Sequence, residues 1–280
     1  MRSLLKIVSA SSLLLLAISC GRAVDETTTE NDSQVMSLVS YPCQEYGVNL
    51  GESRYHCVAY QTGESVTNVL FQLDGFDQAQ IDKLKEAINI GAAAYSAYYT
   101  DLALNANSDP AIFQCIMRRA DKEMDPLNSK ISVHLKEPKQ KIQWAFGTLR
   151  TGFTFHQQSA TPIVITSYNE PRDGNVAPLA HATIGTDALA SNIRLDFAVN
   201  TASLSKPDTY SYKVGSTTYM IDFSAKTFAG ALIHEMLHRK GYTHAVAGHS
   251  VGPLVYEFGN CISNANFGLT LTSIDLPAVD

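Results

Sequence analysis

The spacing of apolar residues changes several times along the chain, and it predicts three helices. Apolar positions three and four residues apart indicate helices over 77–104, 111–124 and 224–240. Pro126 follows the second helix, and Gly241 follows the third, where glycine is a common carboxyl-terminal stop. The segment after Gly241 contains Gly, Pro and Asn residues and no long periodic run.

Short β-branched and aromatic runs, separated by Gly, Pro, Asn and Asp, predict strands. They predict hairpins between 41 and 76 and a hairpin over 210–221 that turns at Gly215 and Ser216. Further strands are predicted over 131–135, 152–156, 162–168, 179–184 and 193–199. Helices and strands are mixed without strict alternation. We therefore predict an α+β fold rather than a doubly wound parallel sheet.

The amino terminus has the features of an export signal. A short basic start overlaps a largely apolar run that ends at Ile18 and is too short for a membrane span. The end of this run and the residues after it, 16–21, read Leu-Ala-Ile-Ser-Cys-Gly, which resembles a bacterial lipobox. We predict that 1–19 is a lipoprotein-type signal peptide and that Cys20 is acylated. The alternative is an ordinary secretory signal in which Cys20 is incidental.

Composition and charge narrow the class of protein further. Residues 20–42 are polar and acidic, and they predict a flexible tether ahead of a folded domain over 43–280. With 280 residues, 45% of them hydrophobic, the chain can bury a sizeable core. A net charge of -6 offers no basic patch, so nucleic acid is not an expected partner. The predicted location is the bacterial outer membrane, through the lipid on Cys20, or the extracellular space.

Four cysteines remain after removal of the signal peptide: Cys43, Cys57, Cys115 and Cys261. An even number in an exported chain favours two disulfides over metal thiolates or free thiols. Three pairings are possible. The pairing of Cys43 with Cys57 closes a short loop and leaves Cys115 to join an early helix to Cys261 near the carboxyl end.

The candidate chemistry lies in residues 234–244, which read His-Glu-Met-Leu-His-Arg-Lys-Gly-Tyr-Thr-His. His234 and His238 are four residues apart on the predicted helix, so both imidazoles project from one face and reach one ion. Gly241 permits a sharp turn that returns His244 as a third nitrogen ligand. Three protein ligands leave one tetrahedral position open, as in catalytic zinc sites. Glu235 is predicted as the general base beside that position.

The string matches every fixed position of His-Glu-x-x-His-x-x-Gly-x-x-His, and it resembles the zinc signature of the metzincin endopeptidases. Upstream, residues 178–184 and 192–197 look like the paired strands ahead of the zinc helix in matrixin-like members. The resemblance covers about 160–260. It implies a zinc-dependent endopeptidase whose peptide substrate lies antiparallel on the first of these strands.

The resemblance also implies an architecture. We expect a twisted mixed sheet with an antiparallel edge strand, packed on helices, with the zinc helix in the cleft. The upper part of the domain would extend to about 241, and a small lower subdomain would cover 242–280. The expected cofactor is Zn²⁺, and the expected partners are a protein or peptide substrate and the membrane that holds the lipid anchor.

This chain departs from the metzincin pattern below the metal. Metzincins place a Met in a tight turn there, but no Met follows His244. The corresponding turn is predicted over 252–256, with Leu254 or Val255 as an apolar floor. Tyr256 matches a Tyr that assists near the metal in some members, and core packing is the alternative.

Activation is the second departure, because no activation peptide is evident. Cys43 is a candidate thiolate mask for the zinc, but a disulfide is its favoured fate. His181 is predicted as a strand residue rather than a ligand of a second metal. His249 is the alternative third ligand, and the remaining histidines lack partner spacing and are predicted at the surface or in the core: His56, His134 and His156.

Two competing readings stay open. In a different class of zinc peptidase, the third ligand is a downstream acid, Glu257 or Asp275. In the other reading, the chain is a surface lipoprotein that binds a partner or a metal without hydrolysis. Glu235 favours an enzyme, because a site that only binds needs no base.

Overall fold

Five strands form a mixed sheet: β1 (Tyr55–Gln61), β2 (Val66–Asp74), β3 (Ile163–Tyr168), β4 (Ala180–His181) and β5 (Phe197–Asn200). Their order across the sheet is β1-β2-β3-β5-β4. Strands β2, β3 and β5 are parallel, and β1 is antiparallel to β2 at one edge. At the other edge β4 is antiparallel to β5, with Ala180 opposite Val199 and His181 opposite Ala198.

The computed structural model describes residues 43–61, 65–104, 110–119, 137–171, 178–185, 190–214, 216–244 and 254–264. The predicted signal peptide over 1–19, the tether over 20–42 and Cys20 lie outside these residues. The same is true of the predicted strand 131–135 and of His249 and Asp275.

Besides a short 3-10 helix at Gln44–Tyr46, six α-helices are described: α1 (Gln78–Leu104), α2 (Ala111–Arg119), α3 (Pro138–Gln158), α4 (Thr201–Leu204), α5 (Ala225–Arg239) and α6 (Leu254–Ser263). Helix α5 packs against α1 and α6, and α3 packs on β2. A separate hairpin pairs β6 (Thr209–Val214) with β7 (Thr217–Asp222).

Aromatic contacts join three of these helices in the core. Tyr98 of α1 stacks on Phe146 of α3, with ring centroids 3.7 Å apart. Phe146 in turn contacts Phe258 of α6 at 4.7 Å. All three side chains are buried, so they contribute hydrophobic stabilisation as well as ring–ring attraction.

The predicted α+β class, with a mixed sheet packed against helices, is confirmed. Among the individual elements, the helices at 77–104 and 224–240, the strand at 162–168 and the hairpin over 210–221 are found close to their predicted bounds. The strands predicted over 179–184 and 193–199 are shorter, since β4 and β5 cover only 180–181 and 197–200.

Two predictions about helices were wrong. The run 152–156 is part of α3, because its Phe153 continues a buried stripe at helical spacing with Ile142, Phe146 and Leu149. The region after Gly241 contains a helix, α6, that the sequence did not predict. Residues 254–256 are the first residues of that helix, so the tight turn predicted over 252–256 is wrong for residues 254–256.

Both disulfides expected from the cysteine count are present. Cys43 is bonded to Cys57, and Cys115 of α2 is bonded to Cys261 of α6. The sequence had left the pairing open among three possibilities. Two disulfides are typical of an extracellular or otherwise oxidising environment. Among the described helices, none combines the length and the hydropathy needed to cross a membrane.

Candidate metal centre

Helix α5 ends in a glycine turn that sends the chain back under its own last turn. Gly241 has a φ of +88°, a left-handed conformation that favours glycine. The Gly241 N–H donates to the carbonyl of His238 at 2.9 Å, and the Tyr242 N–H donates to the carbonyl of Leu237 at 3.2 Å. Tyr242 and Leu237 are both buried. This combination is the Schellman motif, and it places the turn where the sequence predicted it.

The turn brings three imidazoles together. The Nε2 atoms of His234 and His238 are 2.9 Å apart, and the Nε2 atom of His244 is 2.8 Å from each of them. His238 is buried, His234 is half-buried and His244 is exposed. Among the described residues, these three form the one group of His, Cys, Asp or Glu side chains that could hold a metal ion.

Backbone carbonyls orient the two helical rings. Nδ1 of His238 lies 2.7 Å from the carbonyl oxygen of Tyr242, and Nδ1 of His234 lies 3.1 Å from that of Val255. A carbonyl oxygen only accepts hydrogen bonds, so each Nδ1 carries the ring proton and donates it. Since a neutral imidazole has one ring proton, the Nε2 atoms of both rings are acceptors.

The contact between these two Nε2 atoms tests whether a metal fits. Two acceptors 2.9 Å apart form no hydrogen bond, and their lone pairs repel. A proton on either ring would relieve the repulsion, but burial lowers the pKa of both, and that of His234 lies well below its ordinary 6.5. A metal cation relieves it without protonation, with Nε2 of His244 as a third ligand. The donor set therefore fits a metal ion.

The spacing of the nitrogens sets what a bound ion requires. Tetrahedral zinc with nitrogen ligands at about 2.0–2.1 Å separates those nitrogens by about 3.3 Å. The separations of 2.8–2.9 Å here are smaller, so the rings must move apart by about 0.5 Å on binding. His244 lies beyond the glycine turn, outside α5, whereas the His234 and His238 rings are both carried by that helix and would have to separate through their own side-chain rotations.

Glu235 lies in the same turn of α5 as His234, and its side chain is buried. Its Oε2 atom has no hydrogen-bond partner, and a backbone hydrogen bond from Ala182 acts on the carboxyl group. Burial raises the pKa of Glu235 to about 8, and the Ala182 hydrogen bond opposes this rise. A carboxyl group with this pKa holds its proton at neutral pH. A nearby divalent cation lowers such a pKa, so a bound metal would increase the fraction of Glu235 that is ionised.

Tyr256 lies in the first turn of α6, against the histidine cluster. Its ring stacks on His244 with centroids 4.6 Å apart and an interplanar angle of 18°, and it is 5.1 Å from the ring of His234. Helix α6 thus contacts two of the three histidines, through this ring and through the Val255 carbonyl. Tyr256 is also half-buried against the main hydrophobic core, so its ring both packs in the core and lies beside the histidine cluster.

The other candidates lie apart from the cluster. Glu257 is buried on α6 and does not belong to the group of three ligands. His181 is exposed on β4, where its ring is 4.4 Å from that of Tyr168. His156 is buried in the core, which is one of the two locations predicted for it. Its Nε2 accepts the Leu195 N–H at 3.0 Å.

Three backbone groups of the site had no signal in the sequence. The carbonyls of Tyr242 and Val255 orient the histidines, and the backbone of Ala182 contacts Glu235. Any residue type carries these groups, so only the path of the chain reveals them. The Tyr242 carbonyl follows directly from the turn at Gly241.

Comparisons with models of protein families, with curated proteins and with solved structures give no match to this chain. The resemblance to metzincins rests on the residues of the zinc signature and the strands ahead of it.

Proposed function

We propose that this chain is an exported zinc-dependent endopeptidase of the metzincin type. The observation that supports it most is the pair of acceptor nitrogens of His234 and His238, 2.9 Å apart, with His244 Nε2 at 2.8 Å from both. Three neutral nitrogen ligands with a fourth position open are typical of catalytic zinc. The buried Glu235 carboxyl group beside the first ligand supports hydrolysis over binding alone.

Each residue then has a chemical role. Zinc supplies Lewis acidity and a coordination position for water. Glu235 accepts the proton of the attacking water and returns it to the leaving amine. Tyr256 donates a hydrogen bond to the developing oxyanion from its position beside His244. An extended peptide pairs with the exposed edge of β4, which supplies main-chain hydrogen bonds to the substrate.

The decisive experiment measures zinc content and casein hydrolysis of the purified chain without residues 1–20. We expect one zinc per chain and hydrolysis that a chelator stops. Glu235→Gln should keep the zinc and lower hydrolysis by about 10²–10⁴-fold, because it removes only the base. Glu86→Gln, on the exposed face of α1, is the matched control and should remain active. A fully active Glu235→Gln variant would refute the assigned base.

A second pair of variants separates this proposal from a zinc peptidase with an acidic third ligand. His244→Ala should lower zinc affinity by at least about 100-fold, because it removes one of three ligands. Glu257→Gln should leave zinc affinity within about 3-fold of the wild type, since Glu257 lies outside the cluster. The opposite pattern, retained zinc in the first variant and lost zinc in the second, would favour the acidic ligand.

A peptide library tests for a lipoprotein that binds without hydrolysis. Incubated with the zinc-loaded protein, the library should yield new amino termini, and a chelator should prevent their formation. Peptides that are captured intact, with no new amino termini, would indicate a binding protein on this fold. No nucleic acid partner is proposed.

The proposal includes a lipid anchor on Cys20 and a place in the bacterial outer membrane. In cells that express the full chain, we expect the protein in the membrane fraction. Cys20→Ser should move it to the soluble exported fraction, because the acylated thiol is lost. Thr27→Ala, in the predicted tether, is the control and should stay with the membrane. A Cys20→Ser variant that is still in the membrane fraction would contradict the anchor.

A further inference from the structure

The chain that leaves the edge strand β4 lies along the last turn of α5. We call residues 182–185 and 190–194 the post-edge segment. The Gly185 N–H donates to the carbonyl of His238 at 2.8 Å, and the backbone of Ala182 lies beside the Glu235 carboxyl group. The post-edge segment therefore contacts both a candidate ligand and the candidate base.

Two basic side chains hold this segment in place. Arg239 donates from Nε to the carbonyl of Arg194 and from Nη1 to that of Thr183, both at 3.0 Å. Lys240 is fully buried and donates from Nζ to the carbonyl of Ala190 at 3.0 Å. Charged donors form stronger hydrogen bonds than neutral ones. Both residues occupy variable positions of the zinc signature, so the spacing of the metal ligands does not account for the presence of an arginine and a lysine there.

The approach of the segment to α5 is as close as a backbone allows. A Cβ atom on Gly185 would lie 2.0 Å from the carbonyl oxygen of Arg239, so any other residue there would push the two apart. The strand β4 itself pairs with β5 through only two residues, Ala180 and His181. The sheet alone therefore gives the edge strand few hydrogen bonds, and the contacts with α5 supply more.

We propose that Arg239 and Lys240 are positioning residues that fasten the post-edge segment to α5 and so fix the edge strand β4 relative to the three histidines. This inference rests on the proposed peptidase function, because it gives these residues a role in aligning an extended peptide with the metal site. Arg239 is suited to the role because its planar guanidinium holds two donors in fixed directions, one for each carbonyl, whereas the donors of a lysine all lie on one rotating ammonium group.

The first test measures hydrogen exchange of the zinc-loaded chain by mass spectrometry. Arg239→Met and Lys240→Met keep an apolar stem and remove the donors, and Arg118→Met on the exposed face of α2 is the control. Amides of 182–185 should exchange about 10-fold faster in the two test variants than in the control. Zinc affinity, measured by competition with a chromophoric chelator, should stay within about 3-fold of the wild type.

Exchange that is unchanged in both variants would overturn the proposal. Faster exchange together with loss of zinc would also overturn it, because the residues would then act on the ligands rather than on the edge strand. If the buried Lys240→Met variant fails to fold, the half-exposed Arg239→Met still decides the result.

The second test separates KM from kcat on an extended peptide substrate. Arg239→Met should raise KM about 10-fold and change kcat by less than about 3-fold, because the edge strand is displaced while the metal and base remain. Arg239→Lys should have a KM between that of the wild type and that of Arg239→Met. A role for charge alone predicts the wild-type KM. Full recovery would contradict the positioning role. If the wild-type chain binds zinc but cleaves no peptide, the proposed peptidase function is refuted. The hydrogen-exchange measurement would still show whether Arg239 and Lys240 hold the post-edge segment.

Discussion

Two buried histidines, His156 and His238, have the same kind of partner at Nδ1 and different partners at Nε2. Nδ1 of His156 and Nδ1 of His238 each lie 2.7 Å from a backbone carbonyl oxygen, of Thr161 and of Tyr242. At His156 the opposite nitrogen accepts the Leu195 N–H at 3.0 Å. At His238 the opposite nitrogen faces the acceptor nitrogen of His234 at 2.9 Å.

This difference separates a structural histidine from a candidate metal ligand. His156 has one donor and one acceptor satisfied within the protein, so it needs nothing more. On the side where two other imidazoles converge, the neutral ring of His244 can donate to the Nε2 of His238 at 2.8 Å, whereas His234 presents another acceptor, and a cation would satisfy all three nitrogens at once. Burial does not distinguish the two, since both rings are buried. The two histidines are distinguished by the group that faces Nε2.

The largest expected effect is on zinc affinity, in which a histidine of the cluster and the structural His156 should differ most. His234→Ala should lower zinc affinity by at least about 100-fold, because it removes a ligand that a carbonyl holds in place. His156→Ala should leave zinc affinity within about 3-fold while it destabilises the fold. Equilibrium competition with a chromophoric chelator measures both. Equal zinc losses in the two variants would show that the partner of Nε2 has no diagnostic value.

The second prediction concerns pH and His156. Burial lowers the pKa of His156 below its ordinary 6.5, while the hydrogen bond to the Thr161 carbonyl and the negative charge of the nearby Asp196 oppose the shift. The unfolded chain therefore binds this proton more readily, and the stabilisation is complete above pH 6.5 and falls as the pH decreases. His156→Gln should lose this pH dependence and cost about 1–3 kcal/mol at pH 8.

Chemical denaturation from pH 5 to 8, with a chelator present in every sample, measures this effect. His181→Gln, at the exposed sheet edge, is the matched control and should follow the wild-type profile. The cluster histidines titrate equally in all three proteins, so the difference between the profiles isolates His156. An identical slope in His156→Gln and the wild type would contradict the assignment.

A smaller effect is expected at the glycine turn. Gly241→Ala should destabilise the fold by about 1–2 kcal/mol, because a left-handed conformation is unfavourable for any residue with a Cβ atom. It should also weaken zinc binding, since the same turn carries the Tyr242 carbonyl and His244. Gly147→Ala, inside α3 with nothing within 4 Å of the added atom, should instead be neutral or stabilising. Thermal denaturation and zinc titration test both, and similar effects at the two glycines would contradict this account.

The smallest effect on metal binding is expected at Tyr256. Tyr256→Phe keeps the ring that stacks on His244, so zinc affinity should change by less than about 2-fold while hydrolysis falls. Tyr256→Ala removes the ring and should weaken zinc binding by about 5-fold. A Phe variant with wild-type hydrolysis would limit the tyrosine to packing.

The elements that the sequence predicted well are those with one clear periodicity and one clear stop. Helix α5 has both, in its apolar stripe and in Gly241. In 152–156, aromatic and β-branched residues form a short run that fits either a strand or a helix. The buried stripe that decides for a helix begins ten residues earlier, at Ile142.

Helix α6 was missed for a different reason. Gly259 and Asn260 resemble turn residues, and Gly252 and Pro253 stand just before the helix. Gly259 is helical here because α6 lies directly against Gly230 of α5. Tertiary contacts of this kind override local propensity, and one sequence does not show them. The cluster of three histidines was predictable because the spacing of His234 and His238 follows from helix geometry and Gly241 permits the turn that returns His244, whereas the carbonyls that orient the rings were not predictable.

The most direct test of the metal centre is a crystal structure of the zinc-loaded chain, with anomalous scattering recorded at the zinc edge. We expect one peak at about 2.0–2.1 Å from the Nε2 atoms of His234, His238 and His244, with the Nδ1 atoms still on their carbonyls and one ligand position left to solvent. A peak elsewhere, ligation through Nδ1, or a fourth protein ligand that closes the site would contradict the account.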